Sequence, residues 1–279
     1  MIETNLVETI DLNKPQPLMI LAYGEPGVGK TSFATEFPKS IFIATENGVP
    51  RNTDISNIIE FKRIRNLDGF YQCCADIWKR LKDGSLDCKT IVIDHMGDIE
   101  KFIISDLQHQ LGHSFGKGAF GTDYAYLANY MENPEKLMEK DITIRVGVMN
   151  TLRMFMDTYG INIVILAHST VRKVEIPGLA TYDRNQPDLR KQILDPIHKN
   201  CSEILYFDNN RTSYTEHTRS GETKTIVELN KEAPVVIYGG SGEITHLSKS
   251  RNGFPDKYPY ILGNGATEWL KNIGIIENK

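Results

Sequence analysis

One stretch constrains this chain more than any other: Gly24-Glu25-Pro26-Gly27-Val28-Gly29-Lys30-Thr31. It fits the spacing G-x-x-x-x-G-K-[ST] at every fixed position. Its flanks matter as much as the motif. Leu18 to Ala22 is an unbroken apolar run and reads as a buried strand. Thr31 to Phe37 reads as a short helix stopped by Pro38. A strand, a glycine-rich turn and a helix start, in that order, let backbone N–H groups and a helix N-terminus gather on phosphate oxygens. The expected binding set is Gly24, Glu25, Pro26, Gly27, Val28, Gly29, Lys30, Thr31 and Ser32. Lys30 reaches the β- and γ-phosphates of a nucleoside triphosphate such as ATP, and the Thr31 hydroxyl holds Mg²⁺.

Around this motif the sequence alternates strand and helix patterns for its first two-thirds, the mark of an α/β fold with a mostly parallel twisted sheet flanked by helices. Expected strands cover residues 40–45, 58–64, 89–94 and 161–167, and a helix capped by Asp68 runs to Lys82. A further helix ends near Leu111, and one or two more fill the stretch from Asn133 to Tyr159. Residues 112–122 hold four glycines and read as a mobile loop. Residues 170–191 read as a second flexible, polar loop, followed by a helix near 189–200. Short C-terminal strands are then expected at 203–208, 224–229, 234–238 and 244–248, forming an antiparallel addition. Residues 17–279 read as a single domain. Residues 1–16 read as an N-terminal arm whose Leu6, Val7, Ile10 and Leu12 suit either docking on a neighbour or a frayed tail.

Composition narrows the setting. The chain has 279 residues, 40% hydrophobic and 24% charged, which is ordinary for a soluble globular protein. No apolar run approaches the roughly 18–20 residues of a membrane helix. The acidic start, Met1 to Glu8, lacks a signal core, so a cytoplasmic location is expected. Cys73, Cys74, Cys88 and Cys201 have no metal-type spacing and read as reduced core residues. A net charge of -4 gives no global pull on nucleic acid, so such binding must come from a local patch.

Two more acids belong beside the phosphate loop. Thr90-Ile-Val-Ile-Asp94 is an apolar strand ending in a carboxylate, and a parallel strand delivers that last side chain to the edge where the loop lies. Asp94 is therefore expected at the Mg²⁺ ion, directly or through water. His95 follows it, so the carboxylate that polarises water must come from elsewhere. Glu46, at the end of the strand after the loop, is placed to do this.

In that order the motifs resemble the RecA-like recombinase ATPases. The glycine loop is Gly24–Thr31, the catalytic-glutamate segment looks like Phe42-Ile-Ala-Thr-Glu46, and the metal-acid strand is Ile91–Asp94. The strand ending in a γ-phosphate sensor is similar to Ile163–His168, which puts His168 in the sensor position where the family often has Gln. The segment Lys249-Ser-Arg251 is similar to the one whose basic residues reach a neighbouring subunit's nucleotide. The closest likeness is to short phage-encoded proteins of the Sak single-strand annealing group. The resemblance implies a RecA-like P-loop NTPase core and a homo-oligomeric ring or filament with ATP at the subunit interface. It further implies ssDNA as partner, annealing or recombination as outcome, and a phage protein acting in the bacterial cytoplasm, with a single-strand-binding protein as a further partner. In the same likeness Lys117 and Phe120 of the loop 112–122 belong to a first DNA loop. Arg172, Lys173, Arg184, Arg190 and Lys191 belong to a second, with Tyr182 available for stacking.

The residues alone leave rivals open. A RecA-fold helicase motor, a small-molecule kinase and an ATP-binding switch that organises partners without DNA all share the glycine loop.

Overall fold

A computed structural model of the chain describes residues 16–46, 54–118, 121–132, 147–175, 180–217, 223–240, 245–263 and 265–276. The N-terminal arm up to residue 15, Phe120 and the stretch 133–146 lie outside the described residues.

The chain enters through β1 (Met19–Gly24), entirely buried, and turns through the glycine loop into α1 (Lys30–Ala34). α1 is shorter than its apolar pattern suggests: Thr35 to Phe37 complete the turn through tighter hydrogen bonds, Glu36 N to Phe33 O and Phe37 N to Ala34 O. Then follow β2 (Ser40–Ala44), β3 (Ile58–Arg63), α2 (Leu67–Lys82), β4 (Thr90–Asp94) and α3 (Met96–Leu111). The cap of α2 is Asn66 rather than Asp68: the extended Asn66 backbone lets its side chain accept from Gly69 N at 2.8 Å, leaving Asp68 in the first turn. Next come α4 (Thr122–Glu132), α5 (Val148–Tyr159), β5 (Asn162–Val174), β6 (Tyr182–Pro187) and α6 (Lys191–Asn200). The described chain closes with β7 (Glu203–Asn209), β8 (Arg211–His217), β9 (Thr223–Leu229), β10 (Val235–Tyr238), β11 (Lys249–Ser250), β12 (Tyr258–Tyr260) and α7 (Thr267–Asn272).

The main sheet runs β12-β10-β7-β1-β5-β4-β2-β3. From β3 to β7 every pairing is parallel, while β10, β11 and β12 join antiparallel. The strand expected at 203–208 among the antiparallel ones is β7, which is parallel to β1, because α6 supplies the crossover such pairing needs. Around residues 244–248 the described chain makes only an isolated bridge from His246 to Asn185, and the paired strand is β11 instead. β8 and β9 form a separate two-stranded hairpin inserted between β7 and β10.

The largest difference lies at 170–191. A flexible loop was expected; instead β5 continues past the sheet and pairs with β6 as an antiparallel hairpin, from Ser169↔Pro187 to Val174↔Tyr182. Polar residues hid it, since an exposed ribbon has no buried face to impose apolar alternation.

Two cores sandwich the sheet. One packs α2, α3, α5 and α6 through residues such as Phe70, Ile77, Ile103, Leu152 and Ile193. The other packs α1, β12 and α7 through Phe33, Phe37, Phe207, Tyr260 and Trp269. Within the second, Glu36 is a buried tie. Its carboxylate accepts from the Tyr260 hydroxyl at 2.8 Å, Ala266 N at 2.7 Å, Thr267 Oγ1 at 3.1 Å and Gly265 N at 3.2 Å. These bonds fasten the C-terminal segment to the end of α1.

Candidate nucleotide site

β1, β5, β4 and β2 are parallel neighbours, so their C-terminal ends share one edge. Gly24 stands level with His168 of β5, and Ala44 of β2 with Asp94 of β4. The glycine loop crosses this edge with Gly27 and Gly29 at positive φ (77° and 99°), a backbone that glycine adopts without cost. Gly24 also lies so close to β7 that a Cβ there would sit 2.4 Å from Phe207 O. Glu25, Pro26 and Gly27 face solvent while Lys30 and Ser32 are buried.

The Lys30 ammonium donates to Gly24 O at 2.9 Å and Glu25 O at 2.7 Å. Burial pushes its pKa down to about 8, against the opposing pull of Asp94. Thr31 Oγ1 donates to Asp94 Oδ2 at 3.3 Å. Burial raises Asp94 to about 6, although the Thr31 hydrogen bond and Lys30 both favour its charged form. A carboxylate that burial disfavours as an anion, beside a hydroxyl at an open loop, fits a divalent cation, which would offset the lost hydration. Glu46 is exposed at the same edge, and its charge acts on Asp94, His168 and Lys101.

Sequence reasoning missed part of this edge. Thr45, following β2, donates its hydroxyl to Asp98 Oδ2 at 2.7 Å and its N–H to Asp94 O at 2.8 Å, which splices β2 to the start of α3. Asp98 also receives Lys101 Nζ at 2.6 Å. The His95 ring lies against the His168 ring, centroids 4.1 Å apart. Burial lowers both imidazole pKa values, that of His95 to about 4, so both are neutral at pH 7. Only the adjacency of His95 to Asp94 signalled this pair in sequence.

The remaining predicted residues separate. Lys249 pairs through β11 with Ile204, near the start of β7, at the sheet edge opposite the glycine loop. Its amine donates to His198 O at 2.9 Å and Cys201 O at 2.6 Å, so it caps the carbonyls at the end of α6. Lys249 and Arg251 do not share a strand face, because β11 ends at Ser250. The Arg251 backbone is held by Glu203 Oε1 at 3.2 Å while the residue itself is exposed.

Arg172 and Lys173 are exposed on the β5–β6 hairpin, with Arg184 directly across from Arg172. Arg172 Nη2 donates to Leu189 O at 2.9 Å. Lys191 is exposed at the start of α6 and Lys117 is exposed in the glycine-rich turn. That turn is tied down: Asp123 accepts from Gly116 N at 2.7 Å and Gly118 N at 3.2 Å. Arg190 is spent internally, because its guanidinium and its N–H both bond the buried Glu100 and the guanidinium lies 5.5 Å over the Phe115 ring.

Among the described residues no helix is long and apolar enough to cross a membrane. No curated protein matches the chain. Residues 16–140 match a family model described as an AAA domain. That stretch, just under half of the chain, is similar to an AAA domain; it carries β1, the glycine loop and Asp94 on a mostly parallel α/β sheet.

Proposed function

We propose that this chain is an ATP-dependent, ssDNA-binding protein of recombination or single-strand annealing, RecA-like in its core and akin to phage annealing proteins, hydrolysing ATP between subunits. One observation carries the reading: β5 is a single strand that meets the phosphate loop at His168 and continues into the cationic hairpin with Arg172 and Lys173. An anion bound on the hairpin and a phosphate bound at the loop then act on one rigid element. The hairpin register adds support. Arg172 and Arg184 are directly opposed, an unfavourable like-charge pair that a polyanion relieves, and Tyr182 shares their face through its pairing with Val174.

In this reading Lys30 and the loop N–H groups hold the phosphates, and Thr31 and Asp94 hold Mg²⁺, which neutralises phosphate charge when bound. Glu46 orients the attacking water, His168 senses the γ-phosphate, and Arg251 of an adjacent copy supplies the trans cation. Lys249, bound to the end of α6, sets the position of that segment. A helicase-type motor and a DNA-independent switch remain the alternatives. The experiment is steady-state ATP hydrolysis with and without saturating ssDNA, beside negative-stain imaging with a nonhydrolysable ATP analogue. Stimulation with ordered assemblies is expected. An unchanged rate, or a persistent monomer under both conditions, contradicts the reading.

A further inference from the structure

We infer that His95 is a positioning residue for His168: its ring is the stop that fixes the direction in which the His168 imidazole meets the phosphate edge. The inference rests on the nucleotide-site reading above.

The two rings come from neighbouring parallel strands, His95 just after β4 and His168 within β5. They are tilted at 51° with centroids 4.1 Å apart. Among the described residues, Nδ1 of each ring is buried with no hydrogen-bond partner. Asp98 Oδ2 lies 3.6 Å from His95 Nδ1, beyond hydrogen-bond reach, and already accepts from Thr45, while Asp98 Oδ1 accepts from Lys101. What orients these rings is therefore packing rather than a hydrogen bond at Nδ1.

His95 is itself backed by Gly97, where a Cβ would lie 2.8 Å from His95 Cε1, so any larger residue would push the ring out of place. On the other side, His168 leads straight into the hairpin: Ser169 pairs with Pro187, and Asp188 N donates to His168 O at 2.8 Å. A ring resting on His95 at the phosphate edge is thus one residue from the hairpin, and removing the stop frees its orientation without touching the glycine loop.

The test compares wild type, His95→Ala, His95→Phe, His168→Ala and the His95→Ala/His168→Ala double variant in ssDNA-saturated ATP hydrolysis. Folding is checked by thermal unfolding, and the His168 ring is followed by NMR without nucleotide. Misplacement of one reacting group predicts a kcat loss of about tenfold for His95→Ala with KM for ATP changed less than about twofold. His95→Phe keeps the ring contact and is expected to stay within about threefold of wild type. The double variant should be no slower than His168→Ala alone, because a positioning residue has nothing left to position. The His168 ring resonances should move in His95→Ala.

Wild-type kcat in His95→Ala overturns the inference, as does multiplication of the two losses in the double variant. A folded His95→Phe as slow as His95→Ala also overturns it, by assigning the effect to a ring nitrogen. If wild type hydrolyses no ATP, the nucleotide-site reading fails. The NMR arm then decides alone, and an unmoved His168 ring rejects the contact.

Discussion

At the residue scale, burial sets the behaviour of the site. Asp94 is ordinarily an acid of pKa 3.8 and is raised to about 6 in the folded chain. Above pH 6 it is ionised in both folded and unfolded states, and burial makes the folded state bear the cost. Between about 6 and 3.8 the folded state holds a proton that the unfolded state has lost, so this group's contribution to stability rises as pH falls through that window. Asp94→Asn removes the penalised charge and should raise the melting temperature of the nucleotide-free protein at pH 7–8, by a free energy on the order of 2 kcal/mol. The same variant should lose the Mg²⁺-dependent part of stabilisation by ATP. Thermal melts with and without MgATP check both halves. Lys30 shows the opposite sign. Its pKa falls from 10.5 to about 8, and a bound triphosphate restores the charged amine. ATP affinity should weaken as pH rises through 8, and binding at pH 8.5 should take up protons. Calorimetry in two buffers of different ionisation enthalpy measures that uptake. Both residues were legible in sequence because fixed spacing and a strand-end acid announce them. Glu36 was not, since the groups it binds lie beyond residue 259, a separation no local pattern encodes.

At the element scale, the β5–β6 hairpin separates two kinds of cation. Arg172 and Lys173 are exposed on it. Replacing both with alanine should weaken ssDNA binding and flatten its salt dependence, by about one unit of slope per lost phosphate contact. Arg190 faces the buried Glu100 instead. Arg190→Ala should leave the salt slope unchanged while costing about 1–3 kcal/mol of stability, because it strands a buried carboxylate. Fluorescence anisotropy across a salt series, with melts alongside, distinguishes them. The central strands of the sheet were legible because, buried on both faces, they form continuous apolar runs. The hairpin, β8 and β11 were not, because exposed or very short strands lack both period and length.

At the scale of the whole molecule, the sheet places the glycine loop at one edge and the 249–251 segment at the other, an arrangement that suits the proposed role of Arg251 toward another copy's phosphate site. Arg251→Ala should therefore depress hydrolysis in the assembled state and leave nucleotide binding by the isolated chain intact. Hydrolysis measured across a range of protein concentrations reads this out. In the proposed function nucleotide and DNA act on the two ends of β5, and such coupling is reciprocal. The most direct measurement is the affinity for a fluorescent single strand at fixed salt, with and without a nonhydrolysable ATP analogue and Mg²⁺. The analogue is expected to tighten binding by about fivefold or more, and Lys30→Ala to abolish the difference. Equal affinity in the two conditions, with the analogue demonstrably bound, would contradict this coupling.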